Sequence, residues 1–255
     1  MILSMKNIEN KQDRACNTYK AAIPFPHVSI DNLFDQSLLE NTLDDIEVLN
    51  KKKWWKYDNI FEKKYAYNNF QNMGKSLQEY FNFVNSSLFT KFLEQVTCID
   101  DLIADPSLYG GGIHKIKRGG KLDVHEDFNY HRITGWKRKI NVITFLNKNW
   151  KVDYEGHTEF WNKDMTRCCS KVLPIFNRTV IFCTDQDSFH GHPEPLNCPE
   201  HMERLSLATY YYVLDKTNVK NKKIKSTRYK KRPGDVTDKK IEILRIARAE
   251  GRLKK

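Results

Sequence analysis

The second half of the chain, from Leu108 to Val213, consists of short strand-like runs separated by Gly, Asn, Asp and Pro. Turn residues at such close intervals leave no room for long helices, and this texture is typical of an antiparallel β-barrel or sandwich. A chain of 255 residues is long enough to form the core of one such domain with extensions. The predicted strands are Gly112–Ile116, Leu122–Asp127, Lys139–Leu146, His157–Trp161, Arg178–Cys183 and Leu205–Val213.

The first half, from Asp31 to Gln95, shows the periodicity of amphipathic helices instead. Apolar residues recur there at i, i+3 and i+4, which places them on one helical face that a sheet must cover. Residues 1–20 are polar and are expected to be flexible. We therefore predict an α+β fold over residues 21–215, with a β core at about 108–215 and N-terminal helices packed on its sheet. The helical positions are Leu38, Leu39, Leu43, Ile46, Phe81, Phe83, Val84, Phe89 and Phe92.

The formal net charge of +11 is concentrated at the C-terminal end. Residues 216–255 contain 16 Lys and Arg against 4 Asp and Glu, whereas residues 1–215 contain 27 against 28. This basic C-terminal tail, residues 216–255, is predicted to be partly helical, over Thr237–Leu253. It could track nucleic-acid phosphates, dock an acidic protein or act as a solubilising extension, and we favour the last of these.

The cysteines and the N-terminal sequence indicate the compartment. The six cysteines include no C-x-x-C pair and show no spacing of a disulfide framework, so we expect reduced thiols. Charged residues interrupt the N-terminus before any signal-peptide apolar stretch develops, and no apolar run approaches the about 18 residues of a transmembrane helix. These features predict a soluble cytoplasmic protein without a membrane partner.

The strongest chemical signal is a histidine and an aspartate one residue apart, His125 and Asp127, in a predicted strand. Residues i and i+2 of a strand project from the same face, so one imidazole and one carboxylate point together. His190, at the end of a later strand, offers a third ligand. Two imidazoles and one carboxylate on one face of an octahedral ion leave positions open, as non-haem Fe(II) oxygenases require. Zinc prefers a closed tetrahedral set, and no cysteine is spaced to complete one, so iron is the better assignment.

A second signal follows His190. Arg204, Ser206 and Ala208 share one face of the last predicted strand of the barrel, so a guanidinium and a hydroxyl point toward its interior. A buried guanidinium needs a carboxylate partner, and its planar fork suits the far carboxylate of a dicarboxylate such as 2-oxoglutarate, with Ser206 adding a hydrogen bond.

These residues stand in an order and spacing that resemble a known family. Residues 110–215 resemble the 2-oxoglutarate and Fe(II)-dependent oxygenases of the prolyl-hydroxylase type. The matching motifs are Gly119-Gly120-Lys121-Leu122, His125-Glu126-Asp127, the stretch from Arg138 to Leu146-Asn147-Lys148-Asn149-Trp150, Phe189-His190-Gly191 and Arg204-x-Ser206.

The resemblance implies a double-stranded β-helix (jelly-roll) core flanked by N-terminal helices. It implies an oxidoreductase that converts 2-oxoglutarate to succinate while hydroxylating a second substrate. The favoured second substrate is a prolyl residue of a protein or peptide. The implied cofactors are Fe(II), 2-oxoglutarate as co-substrate, and L-ascorbate as an accessory. Its Phe-His-Gly pattern selects His190 over the neighbouring His192 as metal ligand. No catalytic side chain is expected beyond His125, Asp127 and His190, with Arg204 and Ser206 binding the co-substrate.

Two departures bear on the substrate. Phe145 stands where some prolyl hydroxylases carry a tyrosine that helps bind 2-oxoglutarate, and Gly156-His157 replaces a common Gly-Gly pair. The same chemistry on a free amino acid or other small molecule remains an alternative, as does a non-catalytic basic binding module on a retired barrel. Repair of alkylated nucleic acid is disfavoured because Tyr210 stands where those oxygenases carry a second arginine.

Overall fold

A computed structural model describes residues 5–49, 51–185, 187–215 and 224–252. In this part of the chain a single antiparallel sheet of 13 strands curls into a nearly closed barrel, and helices cover its outer face. This is the predicted α+β double-stranded β-helix. The strands are β1 (His27–Asp31), β2 (Trp55–Asp58), β3 (Glu62–Tyr67), β4 (Ile103–Ala104), β5 (Gly112–Lys117), β6 (Lys121–Glu126), β7 (Lys137–Phe145), β8 (Thr158–Trp161), β9 (Cys168–Val172), β10 (Arg178–Cys183), β11 (Phe189–His192), β12 (Glu203–Val213) and β13 (Arg228–Tyr229). The helices are α1 (Met5–Ala21), α2 (Gln36–Leu49), α3 (Lys75–Val84), α4 (Ser87–Thr97) and α5 (Lys239–Ala249).

Side chains alternate between the two faces of each strand, so one face packs against the helices and the other lines the barrel interior. The main path of the sheet runs β1-β10-β7-β12-β5-β3-β6-β11-β8-β9. On β12, Leu207 and Tyr211 face outward and join the apolar cluster of the helices, whereas Arg204 and Ser206 face the interior, as their parity predicts. The helical layer is also fixed by hydrogen bonds, because the Tyr211 hydroxyl donates to the Val84 carbonyl oxygen at 2.6 Å.

The first 95 residues depart from prediction in two places. Residues 1–20 are predicted to be flexible, but α1 occupies Met5–Ala21 and packs on α4, with Ala15 and Tyr19 buried in the apolar cluster of the helices. The two residues are four apart and so share one helical face, a pattern too short to stand out in a polar segment. The helical stretch predicted from Asp31 to Gln95 is interrupted by the β2–β3 hairpin, because β3 pairs with β5 and β6.

The C-terminal tail is not a free extension, which corrects the solubilising role favoured above. Its described part, residues 224–252, packs on the barrel: β13 pairs with β6, and Tyr229 stacks on Phe61 with 4.7 Å between ring centroids. Arg248 forms a buried ion pair with Glu62 at 3.0 Å. These partners lie more than 100 residues away in sequence, so local composition could not reveal them.

The tail helix is shorter than predicted, and its buried face includes two arginines. It spans Lys239–Ala249 rather than Thr237–Leu253, and Asp238 caps it by accepting from the Lys240 amide. Arg245, Ala247 and Arg248 form its buried face, because the barrel surface offers carboxylates such as Glu62. Positions 216–223 and 253–255 of the predicted tail lie outside the described residues. No helix in the described ranges is long and apolar enough to cross a membrane.

We predict that Arg248→Met lowers the free energy of unfolding by about 2–4 kcal/mol in urea denaturation, because it leaves Glu62 buried without its strongest cation. The double variant Glu62→Gln/Arg248→Met should recover a large part of the loss, since neither charge remains. A single variant as stable as the wild type would contradict the docked position of the tail.

Candidate metal and co-substrate site

Strand β11 pairs with β6, and this pairing brings two histidine side chains close together. His190 lies opposite His125 in the antiparallel register, with ring centroids 4.6 Å apart. Gly191 makes this approach possible, since a Cβ there would lie 2.8 Å from the Leu122 carbonyl oxygen. Asp127 follows β6 directly and projects on the same side as His125.

The three side chains converge on one point. Asp127 Oδ1 lies 3.4 Å from His125 Nε2, and Asp127 Oδ2 lies 3.3 Å from His190 Nε2. One ligand atom from each residue lies within 4.8 Å of the others. Ligands about 2.1 Å from one ion lie roughly 3 Å apart when adjacent, so these atoms already leave room for a metal and need only a small inward adjustment to contact it. The donor set fits an octahedral ion with open positions.

Backbone carbonyls set the orientation of both imidazoles. His125 Nδ1 bonds to the Asp123 carbonyl oxygen and His190 Nδ1 to that of Ser188, each at 2.9 Å. With Nδ1 carrying the proton, Nε2 keeps its lone pair toward Asp127, the tautomer that a metal requires. Burial and the neighbouring His190 lower the pKa of His125, which favours this neutral form.

Asp127 stays ionised despite its burial. Burial opposes its charge, but Arg138 and His190 outweigh this and hold the pKa of Asp127 well below its usual range. Arg138 Nη2 lies 3.0 Å from Asp127 Oδ2, and Asn141 donates to the same oxygen at 2.9 Å. Both partners contact one carboxylate oxygen, which leaves Oδ1 directed at His125.

The alternation of side chains along a strand does not predict that Arg138 and Asn141 point to the same face. They are three residues apart on β7 and would point to opposite faces of a regular strand. The register between β7 and β12 shifts here, since Tyr211 pairs with Ile140 and Tyr212 with Arg138. This bulge turns both side chains toward Asp127. The sequence motif contained Arg138, but it gave no sign of this role.

A cavity beside the ligands holds the predicted co-substrate residues. This co-substrate cavity is lined by Thr158, His190, His192, Arg204 and Ser206, among others. Arg204 is buried and donates from Nε to the Gly156 carbonyl oxygen at 2.8 Å and from Nη2 to Thr158 Oγ1 at 3.3 Å. No carboxylate pairs with it among the described residues, and burial lowers the pKa of Arg204 to about 9.

Beyond these two oxygen acceptors, an aromatic ring packs against the guanidinium of Arg204. The Phe145 ring lies 4.9 Å from the guanidinium and offers no hydrogen bond. Gly156, at φ +78°, admits the guanidinium, because a Cβ there would lie 3.0 Å from Arg204 Cδ. An uncompensated cation in such a place suits a ligand that brings its own carboxylate.

A second opening reaches the ligands from the other side. This substrate pocket shares His125 and Asp127 with the co-substrate cavity. The guanidinium carbon of Arg138 lies 3.5 Å from the centroid of the Tyr210 ring, and Arg138 Nη1 has no hydrogen-bond partner in the described ranges. The remaining wall includes Tyr57, Phe128, Thr227, Tyr229 and Arg248. Three of these belong to the C-terminal tail, a contribution that the sequence did not indicate.

The other histidines divide by position. His192 and His114 line the co-substrate cavity, and burial together with Arg204 lowers the pKa of His192 well below its usual range. His131 lies 3.5 Å from Asp105, away from both openings. The remaining histidines, His27, His157 and His201, line neither opening.

Comparison with known proteins confirms the resemblance seen in the sequence. Residues 111–212 match the sequence profile of the 2OG-Fe(II) oxygenase superfamily. No curated protein matches the chain. The matched residues span the barrel strands from β5 to β12, and the solved structures described next share the double-stranded β-helix fold.

Three solved structures illustrate the likeness. A prolyl-4-hydroxylase from Pseudomonas putida is 12% identical, with 79% of this chain and 100% of that chain covered and a TM-score of 0.56. A prolyl hydroxylase from Trichoplax adhaerens, in complex with a hypoxia inducible factor peptide fragment, is 15% identical, with coverage of 82% and 91% and a TM-score of 0.58. HygX from Streptomyces hygroscopicus, with nickel, 2-oxoglutarate and hygromycin B bound, is 12% identical, with coverage of 80% and 86% and a TM-score of 0.52. At these identities the likeness concerns the fold.

We predict that Arg204→Met raises the free energy of unfolding of the ligand-free protein by about 1 kcal/mol, because it removes a buried cation without a carboxylate partner. The variant should also lose the rise in Tm that 2-oxoglutarate produces in the metal-loaded wild type. Arg178→Met, which removes an arginine paired with Asp31 on the far side, should keep that rise. Strong destabilisation by Arg204→Met would instead indicate a structural role.

Proposed function

We propose that this chain is a non-haem Fe(II), 2-oxoglutarate-dependent dioxygenase that hydroxylates a C–H bond. The observation that carries the proposal is a buried, uncompensated Arg204 in a cavity that opens onto three converging ligand groups. His125, Asp127 and His190 would hold the iron, and Arg204 and Ser206 the far carboxylate of 2-oxoglutarate. Iron with bound 2-oxoglutarate supplies oxidative decarboxylation to succinate, coupled to oxygen insertion into the second substrate.

The protein's own contribution is orientation and exclusion of water. The Asp123 and Ser188 carbonyls hold the two imidazoles, while Arg138 and Asn141 hold the carboxylate of Asp127. Ile116, Leu122 and Ile143 give the co-substrate cavity apolar walls, and Phe145 packs against the guanidinium of Arg204. L-ascorbate remains part of the proposal as an accessory reductant.

A prolyl residue of a protein or peptide is the substrate that we propose. The substrate pocket offers Tyr57, Tyr210 and Tyr229 as walls for an apolar ring. Arg138 Nη1 is a buried donor without a partner, which suits a peptide carbonyl oxygen. The fold neighbours include prolyl hydroxylases, one of them in complex with a peptide.

One observation favours a small-molecule substrate instead. The tail residues Thr227, Tyr229 and Arg248 form part of the pocket wall, so the approach is narrower than on a bare barrel. A fold neighbour with bound hygromycin B is consistent with this alternative. The non-catalytic binding module predicts a missing ligand or anchor, and all five predicted residues are present.

The catalytic unit that we propose extends beyond residues 21–215, because α1 and the described tail both pack on it. The five arginines of the described tail all form ion pairs within the chain, including Arg228 with Glu126 and Arg232 with Glu194. Because these arginines already pair with carboxylates of the same chain, they offer less charge to an external anion. This weakens the proposal of a nucleic-acid or acidic partner for this segment.

We expect Asp127→Ala to abolish succinate formation from 2-oxoglutarate in the presence of Fe(II), dioxygen and ascorbate, since it removes a metal ligand. The variant should remain folded by circular dichroism but with a lower Tm, because the buried Arg138 loses its carboxylate partner. Asp153→Ala, at an exposed aspartate that lines neither opening, is the matched control and should retain full turnover. Full activity of Asp127→Ala would refute the metal assignment.

The same assay separates the substrate classes. Proline-containing peptides should stimulate succinate formation above the uncoupled rate and gain one oxygen atom on proline, as detected by tandem mass spectrometry. Stimulation by free amino acids or other small molecules, with no peptide active, would replace the peptide with the small-molecule alternative.

A further inference from the structure

His192 lies in the co-substrate cavity with neither ring nitrogen hydrogen-bonded. The residue is 5% exposed, and both Nδ1 and Nε2 are buried without a partner among the residues that the structure describes. Buried polar side chains are nearly always hydrogen-bonded, and the exceptions concentrate at functional sites. An imidazole with two open positions therefore points to a polar ligand in this cavity.

The strand register locates His192 at the far end of the cavity, away from the metal ligands. His192 follows His190 by two residues on β11, so it shares that face about 6–7 Å further along the strand. Gly191 pairs with Glu159 on β8, and continuing this register brings His192 alongside Thr158. The Thr158 hydroxyl accepts from Arg204 Nη2 at 3.3 Å. His192 and Arg204 thus line the same end.

The donors already counted do not fully satisfy a carboxylate at that end. A bidentate pair with the N–H bonds that Arg204 keeps free would fill two of the about four acceptor positions of a carboxylate, and the Ser206 hydroxyl would fill a third. Phe145, packed on the guanidinium, has no polar group to add. Lys64 also lines the cavity but is paired with Glu62 at 3.2 Å. A neutral imidazole carries one N–H donor that could fill a remaining position.

Resting on the proposed function, we propose that His192 donates a hydrogen bond to the far carboxylate of 2-oxoglutarate, beside Arg204 and Ser206. His192 is then a binding residue that helps the site to select a dicarboxylate over shorter 2-oxo acids. Its open ring nitrogens are the groups that this ligand satisfies.

The test measures binding rather than turnover. The protein is loaded with Mn(II), a redox-inert substitute for iron, and titrated with 2-oxoglutarate by calorimetry. His192→Leu should raise the Kd for 2-oxoglutarate about 10- to 100-fold, the loss expected for a hydrogen bond to a charged group. Mn(II) affinity should not change. His192→Gln, which keeps an N–H donor, should restore most of the affinity.

Two controls isolate the carboxylate contact. Pyruvate has the same 2-oxo acid group but no far carboxylate, so its Kd should be equal in the wild type and in His192→Leu. His157→Leu changes a histidine that does not line the cavity and should bind 2-oxoglutarate as the wild type does. The ligand-free His192→Leu protein should be at least as stable as the wild type, because it loses an unsatisfied buried group.

The remaining outcomes separate failure of this inference from failure of the proposed function. If His192→Leu binds 2-oxoglutarate within twofold of the wild type, or loses affinity for pyruvate equally, the inference is overturned while the proposed function stands. If the Mn(II)-loaded wild type binds no 2-oxoglutarate, the proposed function fails and the inference fails with it. Should His192→Leu not fold, His192→Phe, which keeps an aromatic ring without a hydrogen-bond donor, replaces it in the comparison with His192→Gln.

Discussion

The pairing of β6 with β11 is the contact on which the site depends. It places His190 opposite His125, and the absence of a side chain at Gly191 lets the two strands approach. The backbone then completes the arrangement, because carbonyl oxygens two residues before each histidine fix its ring. A metal site built on strand pairing holds its ligands more rigidly than one built on loops. Asp127, the third residue of the proposed metal site, lies just beyond the strand, and two side chains hold its carboxylate.

Several polar groups at this site remain without the partners that a stable core would give them. Arg204 has no carboxylate partner in the described part of the chain, His192 has two open nitrogens, and Arg138 has one open Nη1. Such groups cost stability in the ligand-free protein. Sites where local rules of burial are broken are commonly the functional ones. The two openings that meet at Asp127 are consistent with this, one suited to an anion and the other lined by aromatic rings.

The sequence predicted what depends on strand periodicity. His125 with Asp127, and Arg204 with Ser206, follow from the two-residue repeat, and the structure brings the first pair together with His190. It could not predict what depends on irregular or distant pairing. The bulge that turns Arg138 and Asn141 to one face leaves no local signal, and β13 finds its partner β6 about 100 residues away. For the same reason the sequence alone places Tyr229 and Arg248 in a solvated tail, whereas both line the second opening at Asp127.

The most direct test of the central claim is an anaerobic titration of the metal-free protein, followed by visible absorption. Fe(II) and 2-oxoglutarate together should produce the weak charge-transfer band of an iron-bound 2-oxo acid, saturating at one equivalent of each, whereas neither alone should produce it. This result would establish that the converging residues hold iron and that the cavity beside them holds the co-substrate. If the folded protein develops no band with both present, the three residues do not form the proposed centre and the oxygenase account is contradicted.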